Sequence, residues 1–583
     1  MKRQRNSCSE SNLDLADDCW ELVFRFLNED EDCHRHLKSL SVVSKQLLSI
    51  TNRLRFSLKI CYQTLPFLPR LFQRFTELTS LDLTCFHGDL NALLYQISCF
   101  RFNHLTSLNL SNQPTIPADG LRAFSQSSSS SITTLICSRI KILYGSDLHV
   151  IVDCFPLLEE LDLSHPSTIQ MHDYNNLLNG IETLSVSLVK LRKINLSSHP
   201  YINDQLLYHL FKNCKHLKEA IMLSSYQLTV GGITSALSQR PTLTSLSLSP
   251  FSSYIDKLSV TSHFIDSLVG FKGLTCLHLW RWHVPDNLLS SIAMESPPLR
   301  RLVLQSCTGY TYSGLFNLLS KCRRLLHLGI RNANFLCDHH VAELSSFFLA
   351  HLVSIDLSSC VMLTESSLFA LNRNCPSLAK IIMEFSHVLY SNSSMDSVVN
   401  PQLKYLSLAN NFCLENHNII MLVSIFSNLH LLDLSACISI SEEGIGQILS
   451  RCCNIRELNL ADCPNVKSLG INFEVPKLEV LNLTMTIVDD EALCVISKRC
   501  PGLLQLLLTN CKNITDNGVM QVVKNCTQLR EINLQLCHQV HAKVIDSMVF
   551  LRPSLRKITA PPDFPLSDKY RKHFLRHGCL LEH

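Results

Sequence analysis

Four things are scarce or missing in these 583 residues, and each absence removes a class of function. The opening segment, MKRQRNSCSESNLDLADD, contains no apolar stretch of the kind a secretory signal needs. No run of eighteen apolar residues occurs anywhere, so no membrane span is expected. Charge of one sign is also in short supply. The 52 Lys and Arg against 49 Asp and Glu leave a net charge of +3, and nucleic acid is not the expected partner. The last absence is C-x-x-C: no two of the 26 cysteines stand three residues apart, and the nearest pair is the adjacent Cys452 and Cys453. That spacing argues against structural zinc and points to free thiols in cytosol or nucleus, and no metal or other cofactor is expected.

What is present is a repeat. L-x-x-L-x-L recurs as LTSLDL from Leu78, LTSLNL from Leu105, LEELDL from Leu158, LRKINL from Leu191 and LTSLSL from Leu243. It continues through copies from Leu274, Leu299, Leu325, Leu352, Leu403, Leu429, Ile455, Leu478, Leu503 and Leu529, with weaker ones from Ile132, Leu217, Leu378 and Leu555. Between Leu78 and Leu555, eighteen steps cover 477 residues, about 26.5 per step, inside the range of leucine-rich repeats. Alternation within each copy predicts a short strand with leucines inward and the intervening residues outward. The remainder of a unit is helical. In the unit from Leu503, Thr515 and Asp516 are placed to cap a helix whose inner face holds Val519, Val522 and Val523. Strands pack more closely than the helices behind them, so such a stack is expected to bend, with strands on the concave side. The predicted fold class is α/β: a leucine-rich-repeat solenoid of about nineteen units over 78–560, a length whose core grows by adding units.

The cysteines fall into two columns of this repeat. Cys307, Cys360, Cys437, Cys463, Cys511 and Cys537 lie eight residues after the first leucine of their unit. Cys214, Cys322, Cys375, Cys452, Cys500 and Cys526 lie three residues before one. A small thiol packs like an apolar group in such turns and still donates to a carbonyl. Reactive or metal-binding thiols are the alternative, which periodic placement disfavours.

Residues 13–51 are different in kind. Leu15, Cys19, Leu22, Val23, Phe24, Phe26 and Leu27 fall at helical spacing, an acidic turn follows from Asn28 to Asp32, and a second apolar series runs from Leu37 to Ile50. About forty residues cannot hide so many apolar side chains from water, and the excess predicts a surface for a partner. A cap over the solenoid's open end is the plainer alternative. Residues 1–12 are expected to be disordered, 52–77 to be a connecting segment of capping helices, and 561–583 to form a C-terminal cap, with Ser567 starting a helix that Gly578 ends.

The segments LADDCWELVFRFL and LSVVSKQL resemble the L-P-x-E-x-x-x-x-I-F-x-x-L and L-S-x-V-C-K-x-W stretches of an F-box, with Ala16, Ser44 and Leu47 in place of the usual proline, cysteine and tryptophan. CKNITDNGVMQVVKNCTQLREINL is similar to the cysteine-containing leucine-rich repeat that follows F-box domains, including those of plants. The resemblance implies a substrate receptor of an SCF-type ubiquitin ligase. The F-box would bind the Skp-type adaptor and cullin, the repeats would hold a target protein for ubiquitin-dependent degradation, and this chain would carry no catalysis of its own. It places Leu15, Val23, Phe24, Leu27, Leu40 and Val43 at the adaptor. A small-molecule co-receptor of the same architecture and a non-degradative scaffold are the alternatives.

Most outward strand positions carry Ser, Asn, Asp or Ala. HLWRWHV in the unit from Leu274 departs from that habit, with His278 and Trp280 outward and Trp282 in the usual cysteine place. Gln305 and Arg331 occupy the matching place in the next two units, so His278, Trp280, Gln305 and Arg331 are the candidate target-binding residues. The units from Leu158 and Leu243 are long, with their extra residues near HPSTIQMHDYNN and SPFSSYIDKLSVTSHF, either ligand-contacting or tolerated loops. The serine run Ser125–Ser131 reads as a bulge, and Lys2, Arg3 and Arg5 as a charged terminus.

Overall fold

The computed structural model describes residues 17–28, 37, 40–128, 132–167, 174–199, 202–225, 227–250, 260–386, 399–565 and 567–582. Leu15, Ala16, the basic N-terminal residues, the end of the serine run and most of both long-unit insertions lie outside them. The chain divides into two compact units, Met1–Leu191 and Arg192–His583.

The first unit begins with helices α1 (Asp17–Asn28) and α2 (Lys45–Arg53). Ser44, where the F-box pattern has cysteine, caps α2: its hydroxyl accepts from the Leu47 N–H at 3.1 Å. The helices join through a small apolar core of Phe24, Ile50 and Leu54, against which Trp20, Leu37, Leu40 and Leu47 pack. Charge ties their edges, as Arg53 Nε donates to Glu21 at 2.7 Å and Gln46 Nε2 to Asp17 at 3.0 Å. The connecting segment is not only helical as expected. β1 (Ser57–Lys59) runs parallel to β2 (Ser80–Asp82) and buries Leu58, with Ile60 just beyond it. The chain therefore starts its sheet one repeat before the first full motif. β3 (Ser107–Asn109), β4 (Thr134–Ile136) and β5 (Glu160–Asp162) extend it in parallel. Helices alternate with the strands, close enough that a Cβ on Gly145 would stand 2.3 Å from the Asn176 carbonyl carbon.

The second unit is a leucine-rich-repeat solenoid whose strands, from β6 (Lys193–Asn195) to β21 (Leu580–Glu582), are all parallel and joined in sequence order. Register sets leucine on leucine: Leu432 on Leu458, Leu458 on Leu481, Leu481 on Leu506. These side chains are wholly buried, while the residues between them form an open face. After most of these strands one residue takes a left-handed backbone, such as Ser306 at φ 52°, Asn332 at 64° and Asn510 at 57°, and turns the chain toward its helix.

The first cysteine column now has a physical role. Its thiols donate to the carbonyl five residues after the first leucine of the preceding unit: Cys307 to Leu279, Cys360 to Ile330, Cys437 to Leu408, Cys463 to Leu434, Cys511 to Leu483 and Cys537 to Leu508, at 3.0–3.3 Å. Other residues in that place repeat the bond. The Trp282 indole N–H donates to Leu248 O at 3.2 Å, and Asn411 Nδ2 to Met383 O at 2.9 Å. In these units the place holds a buried donor, of which cysteine is the smallest apolar kind, whereas Ala333 fills it in the unit from Leu325 without one. The second column closes helices, with Cys500 and Cys526 at C-caps. Burial pushes these thiols up, to about 12 at Cys307, Cys437 and Cys500 and about 11 at Cys360, Cys463 and Cys526, so they stay protonated and inert at neutral pH.

A carboxylate ladder adds a second tie between units. Asp490 accepts from both the backbone N–H and the hydroxyl of Thr515, the N-cap of the next helix, and Asp286 and Asp338 do the same for Thr311 and Thr364. The helix Asp516–Asn525 buries Val519, Val522 and Val523 as its spacing predicts. At the C-terminus Ser567 caps the helix Asp568–Arg576 and Gly578 turns at φ 79°. A final strand, β21, then pairs with β20 (Lys557–Thr559), so the cap is a further half-unit and not a helix alone.

Candidate functional site

Among the described residues, two surfaces bear on the sites expected from the sequence. The first is on the N-terminal helices. Leu22 and Val23 on α1 are 59% and 46% exposed, and Val42 and Val43, in the turn before α2, are 82% and 69% exposed. Among the residues expected at an adaptor, Val23 and Val43 are thus open, Leu40 is half-buried against the core, and Leu27 lies in the last turn of α1. Phe24 is placed differently. It is 1% exposed, its ring 5.6 Å from that of Trp20, and it lies in the module's core, while its neighbours Leu22 and Val23 are open. Both faces of α1 are apolar, and spacing alone did not say which one turned inward. Leu47, in the tryptophan place, is spent on the core as well.

The second surface is the open face of β9 (Cys276–Trp280), β10 (Arg301–Gln305) and β11 (His327–Arg331) in the second unit. Register brings Trp280, Gln305 and Arg331 into one row, as the spacing predicted. The Arg281 guanidinium lies 5.3 Å from the Trp280 ring centroid. Arg331 is engaged by its own face: its Nε meets Asp356 at 3.3 Å and its Nη2 meets Glu384, two strands away, at 3.2 Å. The middle row descends from His278 through Val303 to Gly329, which has no side chain; a Cβ there would stand 3.3 Å from Val303 Cγ1. The third row is Cys276, Arg301 and His327. Burial and the nearby Arg301 charge push the His278 imidazole down to about 4 and lower His327, so both rings are neutral at pH 7. His278 Nε2 is buried without a hydrogen-bond partner. Trp282 is core, stacked on Phe264 with centroids 5.0 Å apart.

Beyond β11 the face turns acidic. Asp356, Glu384, Asp433 and Glu457 surround Tyr405, whose hydroxyl is raised by burial and by those four charges, while Lys380 Nζ lies 3.9 Å from its ring centroid. Arg301 and Tyr405 escaped the sequence reading because it weighed the fourth and sixth places after the first leucine and left out the second, where both stand.

No family model matches the chain. Its curated relatives are F-box/LRR-repeat proteins. It is 28% identical over 260 residues to F-box/LRR-repeat protein 17 of Arabidopsis thaliana, which covers 38% of this chain and 42% of that one. It is 24% identical over 222 residues to F-box/LRR-repeat protein 4 of Bos taurus, covering 37% and 32%. The chain thus spans less than half the length of these relatives. Among solved structures, the crystal structure of the yeast Rad7 and Elc1 complex aligns over 90% of this chain and 95% of that one, with a TM-score of 0.38 and 15% identity.

Proposed function

We propose that this chain is a substrate receptor of an SCF-type ubiquitin ligase, its N-terminal helices binding a Skp-type adaptor and its repeats a target protein. The observation that carries this reading is the apolar surface of the first helices. Four aliphatic side chains on two short elements stay in water although a core lies beside them. Exposed aliphatics grouped on so small a module are expected where another protein covers them. The curated relatives, named for the same pairing of F-box and repeats, support the assignment. In this role the chain performs no covalent chemistry. It holds the target while other subunits transfer ubiquitin.

Co-purification with a Skp-type adaptor tests the reading. Val23→Arg combined with Val43→Arg places two charges on the exposed surface without entering the core, and should lower adaptor recovery at least tenfold with the melting temperature unchanged. Phe24→Arg is unsuitable for this purpose, because it would unfold the module. Adaptor binding by the Val23/Val43 variant equal to the unaltered chain would show that these helices do something else.

A further inference from the structure

On the described strands of the second unit the cations are Lys193, Arg301, Arg331, Lys380 and Lys557. Four of them are answered by a neighbour on the same face. Lys193 meets Glu219 at 3.6 Å, and Lys557 meets Glu531 at 3.4 Å and Glu582 at 3.1 Å. Arg331 is held by Asp356 and Glu384, and Lys380 lies over Tyr405. Arg301 is the exception. Its register neighbours are Cys276 and His327, neither of them acidic, and among the described residues it has no ion pair, hydrogen bond or aromatic ring. The thiol beside it stays protonated, since burial raises Cys276. An exposed guanidinium therefore stands on a face whose other strand cations are each matched by a neighbour.

We infer that Arg301, with His278 and His327 beside it and Trp280 on the same strand face, receives an oxyanion carried on a segment of the target protein. This rests on the reading that the repeats hold a target, and it names the chemistry of that contact. A guanidinium offers a planar fork of N–H donors that fits a carboxylate or phosphate through two bonds. The low middle row at Val303 and Gly329 gives the segment room to approach, and Trp280 with Arg281 supplies a broad wall of the kind that anchors interfaces. The acidic stretch from Asp356 to Glu457 repels an anion, which leaves Arg301 as its place on the face.

The test is a peptide array probed with the full chain. Four degenerate sublibraries carry phosphoserine, glutamate, serine or lysine at a fixed central position. Retention on the phosphoserine or the glutamate set should exceed that on serine and lysine at least tenfold, and the set preferred identifies the anion. Arg301→Gln should drop that retention to the serine level, while Lys557→Gln, which removes a paired cation from the same kind of row, should leave it intact. Both residues are solvent-accessible, and equal thermal melts would show that each variant folds. Equal retention on all four sets, or an Arg301→Gln chain that binds as the parent does, would overturn the inference. No adaptor is present in this experiment, so its failure leaves the adaptor-binding reading standing, and a failed adaptor test leaves a positive array standing.

Discussion

The N-terminal helices and the repeats of the second unit use similar apolar residues and reach opposite outcomes. In a repeat, an inward leucine meets an apolar side chain of the unit before and of the unit after, so Leu432, Leu458, Leu481 and Leu506 disappear from solvent. Burial there is a property of stacking, and each added unit brings its own neighbours. The N-terminal module has no such recursion. Two short helices enclose Phe24, Ile50 and Leu54, with Leu47 packed against them, while Leu22 and Val23 remain outside. The difference teaches where a partner is needed. An array completes itself, whereas a module of this size leaves apolar surface open to water.

The sharpest way to break the comparison is to delete one core side chain from the module. Phe24→Ala should cost about 3–5 kcal/mol, as for other buried aromatic truncations, and the module has little core to spare. Limited proteolysis is expected to cut within residues 17–56 and to spare the second unit. Equal susceptibility of both regions would mean that the module is not an independent folding element.

Acid should act on the repeats through His278. Its imidazole is pushed down to about 4, mainly by burial and then by Arg301, so the folded state favours the neutral ring. The stability this gives is present above the ordinary value of 6.5 and is lost as pH falls through about 4, a contribution of about 2–3 kcal/mol at most. Urea midpoints of the full chain, followed by a repeat-specific signal at pH 7 and pH 4, should show a smaller difference in His278→Gln than in the parent. An unchanged acid limb would place the titrating groups elsewhere.

The smallest of these effects concerns the donor column. Cys511→Ala removes the thiol bond to Leu483 O, a carbonyl that still accepts from the Thr486 hydroxyl and N–H, and should cost about 0.5–1.5 kcal/mol, while Cys511→Ser keeps a donor and should cost less. Trp282→Phe also loses the N–H to Leu248 O but shrinks the buried indole to a single ring, so its cost includes a cavity. If Ala and Ser behave alike at position 511, the thiol serves packing alone.

Much of the repeat was legible because its signal is redundant. Leucine phase, cap residues and cysteine columns each fix the same register, and even the weak copies from Leu217, Leu378 and Leu555 form strands in their places. β1 and β21 were not legible because SLK and LLE lack the leading L-x-x of the motif, and only their pairing with β2 and β20 reveals them. The Trp280–Gln305–Arg331 row follows from equal spacing, but the ion pair between Arg331 and Glu384 spans 53 residues and no local pattern announces it. Phe24 shows the opposite limit. On a helix apolar on two sides, sequence names the candidates for burial and for contact without dividing them.

The central claim is that the module is left incomplete and the repeats are not. Hydrogen exchange of the full chain, alone and with a Skp-type adaptor in excess, tests it most directly. The expected result is strong new protection confined to α1, the turn at Val42 and Val43, and α2, with exchange in β6–β21 unchanged. Protection spread along the repeats with none gained on the first helices would contradict it.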